Sequence, residues 1–283
     1  MAYRYVVLES RAIVRVGGAD ARVFLQGLIS QDIERVTADR AAYGAFLTPQ
    51  GKYLHDFCIV QDGDDILLDC EAARADDLVT RLSRYRLRAD VTLAVDTERV
   101  VAAIFGETPD GHAGASRALG SGIVFVDPRR TELGWRAILP RGNADAILAD
   151  AGYRPGNTED YEALRVALTV PDGSRDLEID RTVLLEANFD TLNGIDWDKG
   201  CYLGQELTAR TKYRGLVKRR LVTVTLDGPA PDPGTPVLLD GRDVGVLRTA
   251  AGGHALASLR LEAIESRASG ALCASDRAIR LDQ

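Results

Sequence analysis

The stretch DKGCYLGQELTARTKYRG, residues 198–215, decides how the chain is read. It sets Cys201 between Gly200 and Gly204, with Lys199 just ahead and a run of cations behind. YLGQELTARTK has helical character, and Glu206 with Arg210 makes an i,i+4 ion pair. Cys201 then falls at or just before a helix N-terminus, where the helix dipole and Lys199 both favour a thiolate. The two glycines leave the backbone open to close approach by a ligand. A reactive or soft-metal-binding thiol is one reading, and a cysteine that merely packs is the other. Hydrolase-type catalysis is disfavoured, because no histidine lies within the segment.

The cations extend the signal. From Lys199 to Arg220 there are seven (Lys199, Arg210, Lys212, Arg214, Lys218, Arg219, Arg220) against the single anion Glu206. The whole chain of 283 residues carries a formal charge of −7, so it is no general nucleic-acid binder. A basic stripe on an acidic protein points to a local anionic partner, with a solvated surface as the alternative. Hydrophobic content of 46% and charged content of 27% are those of a globular domain. The cysteines, Cys58, Cys70, Cys201 and Cys273, form no C-x-x-C pair, and the histidines are scattered, so neither a disulfide framework nor a metal site is expected. No apolar run approaches the roughly 18–20 residues that span a bilayer. The N-terminus lacks the pattern of a secretory signal, so a cytoplasmic protein without membrane contact is expected.

Outward from the motif, hydrophobic periodicity gives mixed elements. Residues 3–16 read as one strand ending at Gly17-Gly18. GADARVFLQGLISQDI reads as a helix. AAYGAFLTPQGKYLHDFCIVQDGDDILLDC reads as strands with turns at Pro49-Gln50-Gly51 and Asp62-Gly63-Asp64. RADDLVTRLSRYRL is an amphipathic helix and VTLAVDTERVVAAIFG returns to strand. Residues 105–122 read as loop or short helix. GIVFVDPR and GWRAILP are strands, and NADAILADAG is a helix capped by Asn143. TEDYEALRVAL is a helix capped by Thr158, and a short strand follows the turn at Asn193-Gly194. After Arg220, short apolar runs split by Gly and Pro turns predict a small β-barrel or sandwich. The chain divides into residues 1–220 and 221–283.

Lys199-Gly200-Cys201-Tyr202-x-Gly204-Gln205-Glu206 closely resembles the K-G-C-Y-x-G-Q-E signature of the YgfZ family, folate-binding proteins linked to iron–sulfur cluster assembly. LLEANFDTLNGIDWD before it, ARTKYRGLVKRRL after it, GADARVFLQGLISQDI and VGVLRTAAGGHALASLRLE carry the likeness over most of the chain. The family is similar in fold to the aminomethyltransferase (T-protein) of glycine cleavage. That implies an α+β, T-protein-like folate-binding body of two related lobes followed by a small C-terminal β-barrel.

The same resemblance implies site residues. AAYGAFLTPQGKYLHDF matches the pterin-pocket pattern of the T-protein, with Tyr43 at the tyrosine position and Gly51 and Asp56 at the glycine and reactive-aspartate positions. If 54–60 is a strand, Leu54, Asp56, Cys58 and Val60 share a face, and burial raises the Asp56 pKa. Two departures stand out. Asp69 replaces an asparagine. Ala167 replaces a glutamate, with Arg165 retained, and Asp69 or Glu162 is the candidate substitute. Tetrahydrofolate or a derivative is thus the expected cofactor, held by Tyr43, Asp56, Asp69, Arg165, Lys199, Tyr202, Gln205, Glu206, Arg210 and Arg214, the cations taking its glutamate tail. Cys201 and Asp56 are the expected catalytic groups. The implied function is a folate-binding accessory factor for assembly or repair of iron–sulfur proteins, with those clients or assembly proteins as partners. A tetrahydrofolate-dependent one-carbon transferase and a tRNA-modification accessory protein are the alternatives, the latter with tRNA as partner.

Overall fold

The N-terminal run expected as one strand is two, Arg4–Val7 and Arg11–Gly17, and they enter different sheets. This division interleaves the lobes of the body. In the computed structural model, which describes residues 3–265, 272–275 and 277–282, Arg4–Val7 belongs to a six-stranded sheet. Its order is Arg154–Pro155, Arg4–Val7, Arg99–Phe105, Trp135–Pro140, Gly122–Val126 and Ser116–Leu119. Arg11–Gly17 belongs to a five-stranded sheet, ordered Ala42–Leu47, Tyr53–Asp62, Asp65–Glu71, Arg11–Gly17 and Thr92–Asp96. The described helices are α1 (Ala21–Gln26), α2 (Ala75–Arg86), α3 (Ala144–Asp150), α4 (Thr158–Ala167), α5 (Gln205–Tyr213) and α6 (Leu261–Glu265).

Period-two burial explains the layering. In Arg99–Phe105, Val101, Ala103 and Phe105 face the space between the sheets, while Val100, Ala102 and Ile104 pack toward α3 with Ala144 and Leu148. In Asp65–Glu71, Ile66, Leu68 and Cys70 join α1 and α2 in a second core through Leu25, Leu78 and Leu82. The central strands are therefore apolar on both faces.

Tyr53–Asp62 departs from regular alternation. Its register with Ala42–Leu47 slips between Phe46 and Leu47, opposite His55 and Tyr53. The slip corrects the expected face: Cys58 and Val60 lie in the inter-sheet core, but Leu54 packs in the other one. Elsewhere, Ser116–Leu119 is a strand where loop or short helix was expected. The cap of α4 is Asn157, whose side chain accepts from Asp160 N, rather than Thr158. Asn143 makes no side-chain cap bond. Residues 195–197 form no strand.

The Gly- and Pro-punctuated tail closes into a barrel in the order Arg219–Leu226, His254–Arg260, Arg242–Ala251, Pro236–Leu239, Leu272–Ala274 and Arg277–Leu281. Closure leaves no free sheet edge. Val166 of α4 meets Leu221 and Leu256 of the barrel in a small apolar contact.

Candidate functional site: an open thiol loop beside a crevice

Residues 193–203 carry no regular structure, so their backbone groups need partners from elsewhere. The segment after α1 supplies them. Asp196 N donates to Ser30 O (2.9 Å), Leu203 N to Gly27 O (3.0 Å), Ser30 Oγ to Gly194 O (2.6 Å) and Gln31 Nε2 to Asn193 O (2.8 Å). Within the loop, Asp196 Oδ1 accepts from Asp198 N and Lys199 N, and Oδ2 pairs with Arg35 at 3.0 Å. Lys199 completes the clasp. Its buried ammonium donates to Gln26 O, Ile29 O and Gln31 O at 2.9, 2.7 and 2.8 Å. Burial pulls its pKa down to about 8, so near neutral pH it still carries the protons those three bonds use.

This corrects the expected role of Lys199. Its charge is committed to carbonyl oxygens rather than to the neighbouring thiol. Nor does Cys201 sit at the helix start: α5 begins at Gln205, and Gly204, in the left-handed region at φ 81°, precedes it. A Cβ on Gly204 would lie 2.5 Å from Thr48 O and 2.9 Å from Gly51 Cα. Gly204, expected with Gly200 to admit a ligand, thus admits the backbone of Gly51, the residue matched to the pterin-pocket glycine. Cys201 itself is exposed. Cys58 and Cys70 are buried, and burial pushes each thiol up to about 12. Among the other motif residues, Tyr202 is buried in the inter-sheet core, its pKa pushed up to about 12 by burial. Gln205 is half-buried, Glu206 pairs with Arg210 at 2.6 Å on the surface, and Arg214 is exposed.

Beside the loop opens a crevice of about 400 Å³, walled by Gln31, Arg35, Arg40, Tyr43, His112, Asn193, Asp196, Trp197 and Asp198. Its size is that of a small-molecule site. Trp197, one wall of the crevice, also carries the Lys212 ammonium of α5 at 3.6 Å from its ring centre.

Of the residues matched to the pterin pocket, Tyr43 lines the crevice with its ring, whereas Asp56 and Asp69 lie in a buried polar layer between the sheets. Asp56 is buried, with Oδ1 accepting from Tyr53 O–H (2.7 Å) and Oδ2 from Tyr43 O–H (3.0 Å). Burial pushes its carboxyl above the ordinary range, against the opposing pull of Arg11 and the hydroxyls. Asp69 is held by Arg11 at 2.8 Å and Arg136 at 2.6 Å, and these cations overcome burial to keep its pKa low. Arg165 is held by Glu162 and Asp176 at 2.9 and 2.8 Å, and Glu162 also takes Arg175 at 2.7 Å. Asp69, Arg165 and Glu162 are therefore engaged with partners within the protein, which corrects their assignment as ligand contacts. A folate at the Asp56 position does not fit this arrangement, since the carboxylate is buried beneath the Tyr43 and Tyr53 hydroxyls. The crevice fits better: the Asp198 carboxylate suits the amino and ring N–H groups of a pterin and Arg40 suits a glutamate tail, while Asp196 and Arg35 are already paired with each other.

Sequence reasoning missed Ser30, Gln31, Asp196 and Trp197 as builders of this site. All four lie inside the stretches SQDI and NGIDWD, but nothing in the chain says that the two meet.

A two-sheet body with a closed barrel at its C-terminal end defines a protein of the T-protein-like fold. The aminomethyltransferase T of the glycine cleavage system from Bartonella henselae superposes with a TM-score of 0.81 over 100% of this chain and 85% of that one, at 15% identity. This is the expected fold, a T-protein-like body followed by a barrel. Residues 218–283 match the family model of the CAF17 C-terminal beta-barrel domain. The human protein named iron-sulfur cluster assembly factor IBA57, mitochondrial, is 35% identical over 91% of this chain and 78% of its own length. The mouse protein of the same name is 33% identical over 91% and 78%. The chain belongs to the IBA57 family of iron–sulfur cluster assembly factors. The expected cytoplasmic placement is overturned by these relatives, whose names carry the designation mitochondrial.

Proposed function

We propose that this protein is an accessory factor in the assembly or repair of iron–sulfur proteins, and that the Cys201 thiol is its working group. The observation that carries this reading is an exposed thiol on a loop that has no secondary structure and yet is fixed by buried bonds to the first lobe. A loop so anchored, ending in an open sulfur, presents that sulfur at a set place. The names of the 35%-identical human relative and its mouse counterpart support the cluster-assembly part.

Clusters take about four thiolates, so one cysteine holds a cluster only together with ligands from a partner or a small thiol. Among the described residues, no group of three or more His, Cys, Asp or Glu is placed to hold a metal ion. On this reading the cluster is cargo, touched in passing. Tetrahydrofolate is proposed to bind in the crevice beside the loop, where Asp198 and Arg40 would hold it. There it would supply a one-carbon carrier.

In cells lacking the native gene, Cys201→Ser is expected to abolish recovery of an iron–sulfur client enzyme while the variant accumulates normally. Normal client activity in that strain would end the proposal for the thiol. The folate part is read separately, by titrating purified protein with tetrahydrofolate and following Trp197 fluorescence. A saturable change that Asp198→Ala weakens at least five-fold is expected, and no saturation at millimolar folate would remove the cofactor.

A further inference from the structure

A second cavity lies where the barrel meets the body, and it shares no lining residue with the crevice. It holds about 410 Å³, a volume of the small-molecule class. Strand register builds the barrel wall. Leu221, Ser258 and Val246 are direct partners across three neighbouring strands, so their side chains stand in one row on one face. That face is the outer one, because Leu221 packs on Val166 of α4. The body wall is the irregular segment that carries Leu177 and Glu178, with Glu186 beside it. Two bonds tie the walls together: Arg248 donates to Glu178, and Thr249 N donates to Asp176 Oδ1 at 3.0 Å.

Three guanidinium groups of this cavity, those of Arg248, Arg181 and Arg219, act on the one carboxylate of Glu178. The Arg248 bond, with the fields of Arg181 and Arg219 behind it, holds that carboxyl below its ordinary range despite burial. The pairing is incomplete. Arg248 uses only Nη2, and its buried Nε has no partner. Arg181 stays 3.7 Å from Glu178. Arg219 is half-buried and, among the described residues, makes no hydrogen bond or ion pair, and Ser258 Oγ makes no hydrogen bond. Unanswered guanidinium groups in the wall of a cavity suit an oxyanion.

We propose that this junction cavity binds a small organic acid, with one carboxylate held by Arg219, Arg181 and Ser258 and an aliphatic body laid on Leu177, Leu221 and Val246. One charged head is what the walls admit. Glu186 and Asp243 also line the cavity, and a second negative charge would meet them. A bare phosphate would leave the apolar row wet. The site is independent of Cys201 and of the crevice. A ligand there touches body and barrel at once, so binding raises the stability of the folded chain.

The test titrates the purified full chain with 4-methylpentanoate by calorimetry, beside 4-methylpentanamide, citrate and inorganic phosphate. Saturation by the acid below about 10 mM is expected, with a rise in thermal midpoint. The other three probes are expected to bind about ten-fold more weakly or not at all. Arg219→Met is expected to weaken the acid about ten-fold, the loss of one charge-assisted hydrogen bond, and Ser258→Ala about three-fold. The unliganded thermal midpoint of Arg219→Met stays that of wild type, because Arg219 bonds nothing within the described residues. Its tetrahydrofolate titration, followed through Trp197, is expected to be unchanged. No saturation by the acid, or equal affinity in wild type and both variants, would overturn the proposal. Equal binding of the amide would remove the role of charge, and equal binding of phosphate or citrate would remove the single head on an aliphatic body; either result also overturns it. Loss of tetrahydrofolate binding in Arg219→Met would merge this cavity with the crevice and end its independence.

Discussion

Two polar regions of this molecule use the same kinds of side chain to opposite ends. Between the sheets, Asp69 and Asp127 meet Arg11, Arg129 and Arg136 in a buried layer, with the Asp172, Asp176 and Arg165 group at its edge. On the rim, Lys199 and Asp196 are also buried, but apart from the Asp196–Arg35 pair they bind backbone, and what they hold in place is an open cysteine. Charge answered by charge makes a seal. Charge answered by backbone carbonyls and amides makes a mould. Perturbed carboxylates in a closed layer are structural unless a cavity reaches them, however closely their sequence matches a catalytic pattern.

The largest effects are expected in the seal. Asp69→Leu leaves Arg11 and Arg136 without their shared carboxylate, and breaking one partner of a buried pair costs about 3–5 kcal/mol. Chemical denaturation should show that loss at neutral pH. A change below about 1 kcal/mol would mean that the layer is hydrated and open.

Acid tests the same layer. Arg11 and Arg165 hold the Asp172 carboxyl down at about 2, and Asp69 and Asp127 are also lowered by their arginines. A depressed folded-state pKa gives stability that is complete above the unfolded carboxylate value of about 3.9 and is lost as pH falls through the folded value. The thermal midpoint should therefore drop steeply between about pH 4 and pH 2. A midpoint flat over that window would contradict the pairing.

In the mould, Lys199→Met removes the donor to three carbonyls. Hydrogen bonds from a charged group contribute about 1.5–3 kcal/mol, and the orphaned carbonyls next to Gly27 and Ser30 can reach water once the loop lifts. We expect a loss of about 2 kcal/mol, smaller than in the seal. Client activity should fall as far as in Cys201→Ser, because the thiol is no longer held in place. Lys199→Arg should not restore it, since a planar fork does not match three converging carbonyls. Activity retained in Lys199→Met would show that the loop needs no clasp.

Sequence patterns exposed some of this and hid the rest for identifiable reasons. Period-two runs such as RVVAAIF and the Gly/Pro punctuation after Arg220 made strands and barrel readable, because both are local. Cys201 stood out by its neighbours. Lys199 was misread because its partners lie some 170 residues earlier, at Gln26, Ile29 and Gln31, and are backbone atoms that leave no mark in composition. Tyr53 was missed as a partner of Asp56 because residues three apart point to opposite faces of a regular strand. The register slip opposite Phe46 and Leu47 brings them together. Gly51 and Gly204 carried the glycine signal correctly, but close approach turned out to be between two backbones of the same chain.

The sharpest form of the comparison is one chemical change made in both regions. Cys58→Ser places a hydroxyl in the inter-sheet core, where the thiol is fully enclosed beside the Asp69–Arg136 and Asp127–Arg129 pairs, whose members already bond each other. A buried hydroxyl without a partner costs about 1–3 kcal/mol in proteins. Cys201→Ser makes the same exchange where the side chain faces water, so its stability should lie within about 0.5 kcal/mol of wild type. Function is expected to run the other way, with client activity kept by Cys58→Ser in whatever fraction stays folded and lost by Cys201→Ser. Iodoacetamide separates the two thiols directly. It should modify Cys201 in the native protein and reach Cys58 only on unfolding, because burial both shields that sulfur and holds it protonated up to about pH 12. Equal alkylation of both in the folded protein would erase the distinction between seal and mould, and with it the reason for assigning the chemistry to position 201.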